Sequence, residues 1–249
     1  MKLSLRRILL SFFLVLLGVQ PAFAFKLLPI SRTFTPAGSG ATQSYQVVND
    51  SDERLAVQVS IVQRQMDLVG KENYKPADDD FLIYPPQILL EPQKTQTVRV
   101  TWLGDPQPTK ELAYRIIAEQ LPINLEKPQA NQTKPSGVVK VVLRYLGSLY
   151  IRPANVQPDV VLEGAELQKG TNGNELAISF NNRGTARAVL KNLKLHLIGQ
   201  GKTVDLQPEQ LKEINNTVIL AGNKRRFVMP WPNSLPVGSV TAKFEFDQK

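Results

Sequence analysis

In 249 residues the chain carries 30 Lys or Arg, 22 Asp or Glu, one His and no Cys. The lack of cysteine excludes disulfides, thiol nucleophiles and Cys-ligated metals, and a single histidine cannot build a histidine cluster. The net charge of +8 comes from basic residues scattered along the chain, with Lys224-Arg225-Arg226 as the one cluster; this is unlike the basic stripe of a nucleic-acid-binding surface.

Residues 1–24 begin with Lys2, Arg6 and Arg7, continue through an apolar run at 8–19 and end on Ala22-Phe23-Ala24. These are the three parts of a cleavable export signal. The run of 12 residues falls short of the roughly 20 that a membrane helix needs, and no later run is longer. A soluble exported chain starting at Phe25, without stable membrane insertion, is therefore expected. Losing the three basic residues of the leader lowers the net charge from +8 to +5.

From there, short β-rich runs separated by turn residues follow one another, and no long helical period appears. They lie at 27–34, 43–48, 56–65, 83–90, 95–102, 112–121 and 138–151. Seven strands over that length fit an immunoglobulin-like sandwich. After Arg152-Pro153 a second series occupies 159–168, 175–180, 188–198, 203–206, 216–220, 225–229 and 239–246. Turn signals at 170–174, 181–184 and 199–202 punctuate it. The predicted fold is all-β: two sandwich domains, 25–153 and 154–249, with the joint near Pro153.

The segment at 137–153 differs from the other runs. On one parity stand Val139, Val141, Leu143 and Tyr145; on the other are Lys140 and Arg144. A polar Pro/Asn/Gln/Lys stretch at 125–136 precedes it, so the strand enters its sheet from a loop and is expected at an edge. A long apolar edge strand is an aggregation hazard. It is either the last strand of the chain's own core or an edge kept for a partner's sheet.

Enzyme chemistry finds no foothold. His196 alternates with Leu195 and Leu197 and reads as an outward strand residue. No GxSxG elbow is present to hold a serine beside it. Asp78-Asp79-Asp80 lacks the spacing of a calcium loop, and Gly199-Gln200-Gly201-Lys202 lacks that of a phosphate loop. What remains is a set of arginines within apolar strands: Arg32, Arg115, Arg144 and Arg152. Pairing with Glu119, Glu91 or Asp105 accounts for them; waiting for an external carboxylate is the alternative.

Several motifs in order carry a family resemblance. Ser31-Arg32-Thr33-Phe34, Tyr45-Gln46-Val47-Val48-Asn49, Tyr84-Pro85-Pro86-Gln87-Ile88-Leu89-Leu90-Glu91-Pro92, Thr95-Gln96-Thr97-Val98-Arg99-Val100, Glu119-Gln120-Leu121-Pro122 and Tyr150-Ile151-Arg152-Pro153 together resemble the PapD-like periplasmic pilus chaperones of the chaperone/usher pathway. The likeness is good over the first domain and rests on position and β pattern in the second.

The resemblance implies an L-shaped pair of immunoglobulin-like domains, a periplasmic location, no cofactor and no catalysis. Its partners would be pilin subunits and an outer-membrane usher, with self-association through the exposed edge as an open question for the free protein. It implies that Val139, Val141, Leu143 and Tyr145 form the strand lent to a subunit. It also implies that Arg32 helps to anchor the subunit's terminal carboxylate, and that Arg152 and Glu119 join the domains. The lysine that usually completes the anchor corresponds to Ser148 here, a departure that resembles the archaic branch, and Arg115 is the candidate replacement. A secreted carbohydrate-binding sandwich and a pilin or adhesin subunit are the rival readings. The first would want solvent-facing aromatics, the second a donor extension of its own.

Overall fold

The computed structural model describes residues 25–123 and 142–247. The leader at 1–24, and Val139 and Val141 of the apolar row, lie outside the described residues. Two immunoglobulin-like β-sandwich domains make up the molecule. Among the described residues no helix is long and apolar enough to cross a membrane.

The first domain has ten strands: β1 Phe25–Leu28, β2 Ser31–Phe34, β3 Thr42–Asn49, β4 Leu55–Met66, β5 Glu72–Pro76, β6 Phe81–Tyr84, β7 Gln87–Leu90, β8 Thr95–Trp102, β9 Leu112–Gln120 and β10 Arg144–Ile151. One sheet has the order β1-β3-β8-β6; the other runs β2-β10-β9-β4-β5, with β7 also on β4. Alternation decides which residues lie between them. Tyr45 and Val47 of β3, Val98 and Val100 of β8, Val57, Val59 and Ile61 of β4, Tyr114 and Ile116 of β9, and Leu149 and Ile151 of β10 are all buried in one cluster. Each such side chain contributes about 1.5–3 kcal/mol by leaving water.

Two runs expected as single strands are each divided between the sheets. Residues 27–34 split at Pro29, with β1 on β3 and β2 on β10. Residues 83–90 split at Pro85-Pro86, with β6 on β8 and β7 on β4. Proline has no N–H to give to a ladder, so the chain leaves one sheet there and joins the other. β5 is an additional strand, in a polar stretch that carries no apolar row.

The second domain contains β11 Val160–Gly170, β12 Gly173–Asn182, β13 Ala188–Val189, β14 Lys191–Gly199, β15 Lys202–Asp205, β16 Val218–Ile219, β17 Lys224–Pro230 and β18 Thr241–Asp247. These form the groups β11-β12-β17, β13-β16 and β15-β14-β18 around a separate apolar cluster. The β14–β15 turn has Gln200 at φ 49° and Gly201 at φ 76°, the two positive values of a tight hairpin turn. That accounts for Gly199-Gln200-Gly201-Lys202 without a ligand.

A fully buried asparagine at the end of a strand ties loops in each domain. The Asn49 side-chain amide donates to the carbonyls of Glu53, Leu90 and Glu91, and that of Asn182 to those of Ala186, Ile219 and Leu220. Each side-chain amide thus gathers backbone carbonyls from two separate stretches of its domain.

Candidate functional site

β10 is the strand on which the site depends, and its two halves have different neighbours. All of Arg144–Ile151 pairs antiparallel with β9, from Glu119 back to Leu112. On its other edge β2 runs parallel, from Ser148 opposite Ser31 to Ile151 opposite Phe34, and the Ser148 N–H donates to the Ile30 carbonyl. Among the described residues no strand covers that edge at 144–147. Gly147 marks the boundary, because a Cβ there would come within 2.7 Å of Ile116 Cγ2 and 3.0 Å of the Ile30 carbonyl oxygen. The bare backbone lets β2 close onto β10 from that point.

The odd-numbered residues of β10 turn inward. Leu149 and Ile151 are fully buried. Of the expected donor row, Leu143 and Tyr145 are half-buried against the first domain's own cluster, and the Tyr145 ring meets that of Phe25 edge-on at 5.0 Å. On the other parity Val142 and Leu146 are exposed.

The outer face of the six-stranded sheet carries a charged cluster. Arg115 of β9 lies opposite Ser148 of β10 and donates to its hydroxyl at 2.6 Å. The same guanidinium grips Glu72 of β5 with two bonds, Nε to Oε2 at 2.8 Å and Nη2 to Oε1 at 2.5 Å. Arg64 of β4 adds Nη2 to Glu72 Oε1 at 2.6 Å and Nη1 to the Tyr150 hydroxyl at 3.1 Å. The Tyr74 hydroxyl completes the set at 2.8 Å. Burial alone would raise the Glu72 pKa, but hydrogen bonds from Arg115 and Tyr74 and the charges of Arg64 and Arg115 outweigh it, leaving the carboxyl at about 2. Arg64 and Glu72 had no signal in the sequence beyond being charged, since neither lies in an apolar row.

Arg32 stands elsewhere. In β2 it is level with the inward Leu149, and its partners are on the opposite sheet: Gln43 Oε1 at 2.8 Å and the face of Tyr45 at 5.6 Å. The inward parity of Arg32 and the outward parity of Arg115 put these arginines on opposite faces, so the two residues expected to share one carboxylate do not converge. Arg115 has Arg64 beside it instead.

The expected pair of Arg152 with Glu119 is replaced by two others. Glu119 is level with Arg144 and contacts it at 3.7 Å. It therefore lies seven residues along the ladder from Leu112, which is level with Ile151; at about 3.4 Å per residue that distance is beyond any side chain's reach. Arg152 faces Glu111 at 3.7 Å, and the main link between domains is Glu111 with Arg187. Arg187 donates from Nη1 at 2.6 Å and from its backbone N–H at 3.1 Å, while the Glu111 N–H donates to the Thr185 carbonyl at 2.8 Å. The Arg187 guanidinium also stacks 3.6 Å from the Tyr150 ring. A second link joins the β4–β5 turn to the other domain: Arg226 N–H donates to the Leu68 carbonyl and Asn223 to the Met66 carbonyl.

Among the described residues no three His, Asp or Glu side chains are grouped to hold a metal ion. Both tryptophans, Trp102 and Trp231, are buried, so neither offers a sugar platform. The site is a strand edge beside an arginine-rich face.

The fold is a pair of immunoglobulin-like sandwiches in which, among the described residues, no strand covers the second edge of the first domain's last strand at 144–147. Residues 31–157, just over half of the chain, match the family model described as the pili and flagellar-assembly chaperone, PapD N-terminal domain, and the chain belongs to that family. No curated protein matches the sequence. Among solved structures, the fold is similar to that in a chaperone–tip adhesion subunit pre-assembly complex of the archaic chaperone-usher Csu pili of Acinetobacter baumannii, with TM-score 0.58, 16% identity, and coverage of 87% of this chain and 91% of that one. For the E. coli chaperone DraB the values are 0.51, 21%, 88% and 87%. For a complex of the SafA pilin with the SafB chaperone from Salmonella enterica they are 0.50, 15%, 85% and 86%.

Proposed function

We propose that this chain is a periplasmic chaperone that holds an incomplete pilin subunit by adding its own strand to the subunit's sheet, then passes the subunit to an outer-membrane usher. The observation that carries the reading is the edge of β10 at 144–147, which no strand covers among the described residues, in a family of pilus-assembly chaperones. Unpaired N–H and C=O groups on that edge are a template for a partner's backbone. The apolar row would supply side chains to the subunit's groove. Leu143 and Tyr145 lean on the chain's own core, so the subunit would compete with that packing for them. No chemical step is required, and no cofactor enters.

Arg115 is the residue to which we assign the subunit's terminal carboxylate, because its fork suits two oxygens; that carboxylate would have to take the place of Glu72, whose two oxygens the fork holds in the free chain. Arg32 keeps the edge of the sandwich closed through Gln43 and Tyr45.

Val141→Asp tests the strand assignment. A carboxylate forced into an apolar groove costs on the order of 3 kcal/mol, about a hundredfold in affinity. The variant should keep wild-type thermal unfolding and lose co-purification with the subunit. Capture at wild-type yield by a folded variant would refute the strand assignment, and an unfolded variant would place the row in the chain's own core.

A further inference from the structure

Besides Met1 the chain has two methionines, Met66 and Met229, and their surroundings differ. Met229 of β17 is half-buried against the apolar cluster of the second domain. Met66, the last residue of β4, stands at the contact between the domains. Its carbonyl accepts from the Asn223 side-chain amide at 3.1 Å, and its Sδ accepts from Arg225 Nη1 at 3.0 Å. A thioether sulfur is a weak acceptor, so a charged donor is poorly served there.

Arg225 is short of acceptors altogether. Its neighbours Lys224 and Arg226 pair with Glu163 and Glu166, whereas Arg225, only 9% exposed, has no carboxylate partner among the described residues. Nη1 also donates to the Val218 carbonyl at 3.2 Å, and Nε is buried with no partner. The guanidinium lies 4.9 Å from the Phe227 ring and against the bare backbone of Gly70, where a Cβ would collide with Nη2. Burial, joined by the charge of Arg64, pulls its pKa down, and Asp67 and Glu72 offset this only in part. Buried guanidinium N–H groups ordinarily find acceptors. This one lacks a strong acceptor, and the sulfur it touches can be converted into one.

We propose that Met66 is a redox modification site: a peroxide oxidises its thioether to the sulfoxide, and the new oxygen takes Arg225 as its partner and tightens the contact between the domains. Met66 lines a cleft of about 380 Å³ between them, together with Gln65, Lys110 and Glu111, which is roomy enough for an oxidant little larger than water. In the step a sulfur lone pair attacks one oxygen of hydrogen peroxide and the O–O bond breaks. The departing hydroxide takes the proton of the transferred oxygen and leaves as water. Sulfur loses two electrons, the peroxide gains them, and a sulfoxide reductase reverses the change. Methionine oxidation usually disrupts a protein, because a polar group enters apolar packing; Met229 would follow that rule. At Met66 the sign is reversed, because the oxygen meets a buried charged donor, and hydrogen bonds of that kind are the stronger ones.

The test uses the mature protein carrying Met229→Leu, a swap that conserves volume in the second domain and leaves Met66 as the methionine to be oxidised. The protein is treated with hydrogen peroxide, the added oxygen is located by peptide mass spectrometry, and urea unfolding and the arginine Nε–H signals in NMR spectra are compared before and after. One oxygen should appear on Met66, the urea midpoint should rise by about 0.5 M, and the Arg225 signal should shift. Treatment with a methionine sulfoxide reductase should restore both. Met66→Gln in the otherwise wild-type chain places an amide oxygen at the same position and should raise the midpoint without peroxide. A folded protein in which Met66 resists oxidation would overturn the modification site. An unchanged or lowered midpoint once Met66 is oxidised, or an Arg225 signal that does not move, would overturn the tightening through Arg225.

Discussion

Glu72 and Glu111 are both carboxylates held by two arginines, yet the molecule uses them differently. Glu111 is fixed from both ends: its side chain is 2% exposed and gripped by Arg187, and its own N–H is bound to Thr185 of the second domain. Glu72 is held by its side chain, while its strand is an exposed edge. The same ion chemistry joins two domains at Glu111 and, at Glu72, ties an edge strand to the middle of its own sheet. Glu111 is also the more deeply buried of the two carboxylates, 2% exposed against 18% for Glu72.

Removing the joint should have the larger effect. Glu111→Ala leaves Arg187 half-buried with only Thr33 and the Tyr150 ring for company, a loss of about 3–5 kcal/mol for breaking one side of a buried pair. Urea unfolding followed by tryptophan fluorescence reads it, since Trp102 reports on the first domain and Trp231 on the second. The expected outcome is an earlier transition and a broader small-angle scattering profile, from a loosened domain pair. An unchanged midpoint would mean that the Met66–Asn223 and Leu68–Arg226 contacts hold the domains without Glu111.

Replacing Glu72 should matter less, and its effect should depend on pH. Glu72→Gln is expected to cost about 1–3 kcal/mol at pH 7, less than Glu111→Ala because glutamine keeps the side chain's length and a carbonyl oxygen that accepts from the arginines. The Glu72 carboxyl is held below its ordinary value of 4.5, at about 2. A depressed carboxylate stabilises the fold above the unfolded value, and that contribution fades as pH falls through the folded value. The wild type should therefore lead the variant above pH 4.5 and lose its lead toward pH 2. A stability difference that stays constant from pH 7 to pH 2 would show that the carboxylate charge is not what Glu72 contributes.

The contrast between the two glutamates also explains which parts were legible in the sequence. Period-2 rows gave away β3, β4, β8 and β9, because a strand with one buried face must alternate. Arg32 and Arg115 were grouped by motif position and by the need for a second basic residue, neither of which says which face a side chain takes; that depends on the change of sheet at Pro29 and on register against β10. β5 was missed because an exposed edge strand has no apolar row to reveal it, and with β5 went Glu72. Glu119 was assigned to Arg152 by its motif position, whereas ladder register pairs it with Arg144. Pairings across a sheet are set by register, and register is a property of two strands at once.

Glu119 supplies the weakest member of the comparison and its calibration. Its contact with Arg144 is 3.7 Å long and both side chains are 49% exposed. Ions so wet and so loosely set gain little from each other, because water screens the attraction and holding two long side chains costs rotamer freedom. Glu119→Ala should therefore change stability by less than about 1 kcal/mol and leave domain orientation unaltered. Urea unfolding in low and high salt is the measurement, with a small difference that vanishes in salt as the expected result. A loss as large as that for Glu111→Ala would mean that Glu119 reaches a buried partner, and would revive a role for it in holding the domains together.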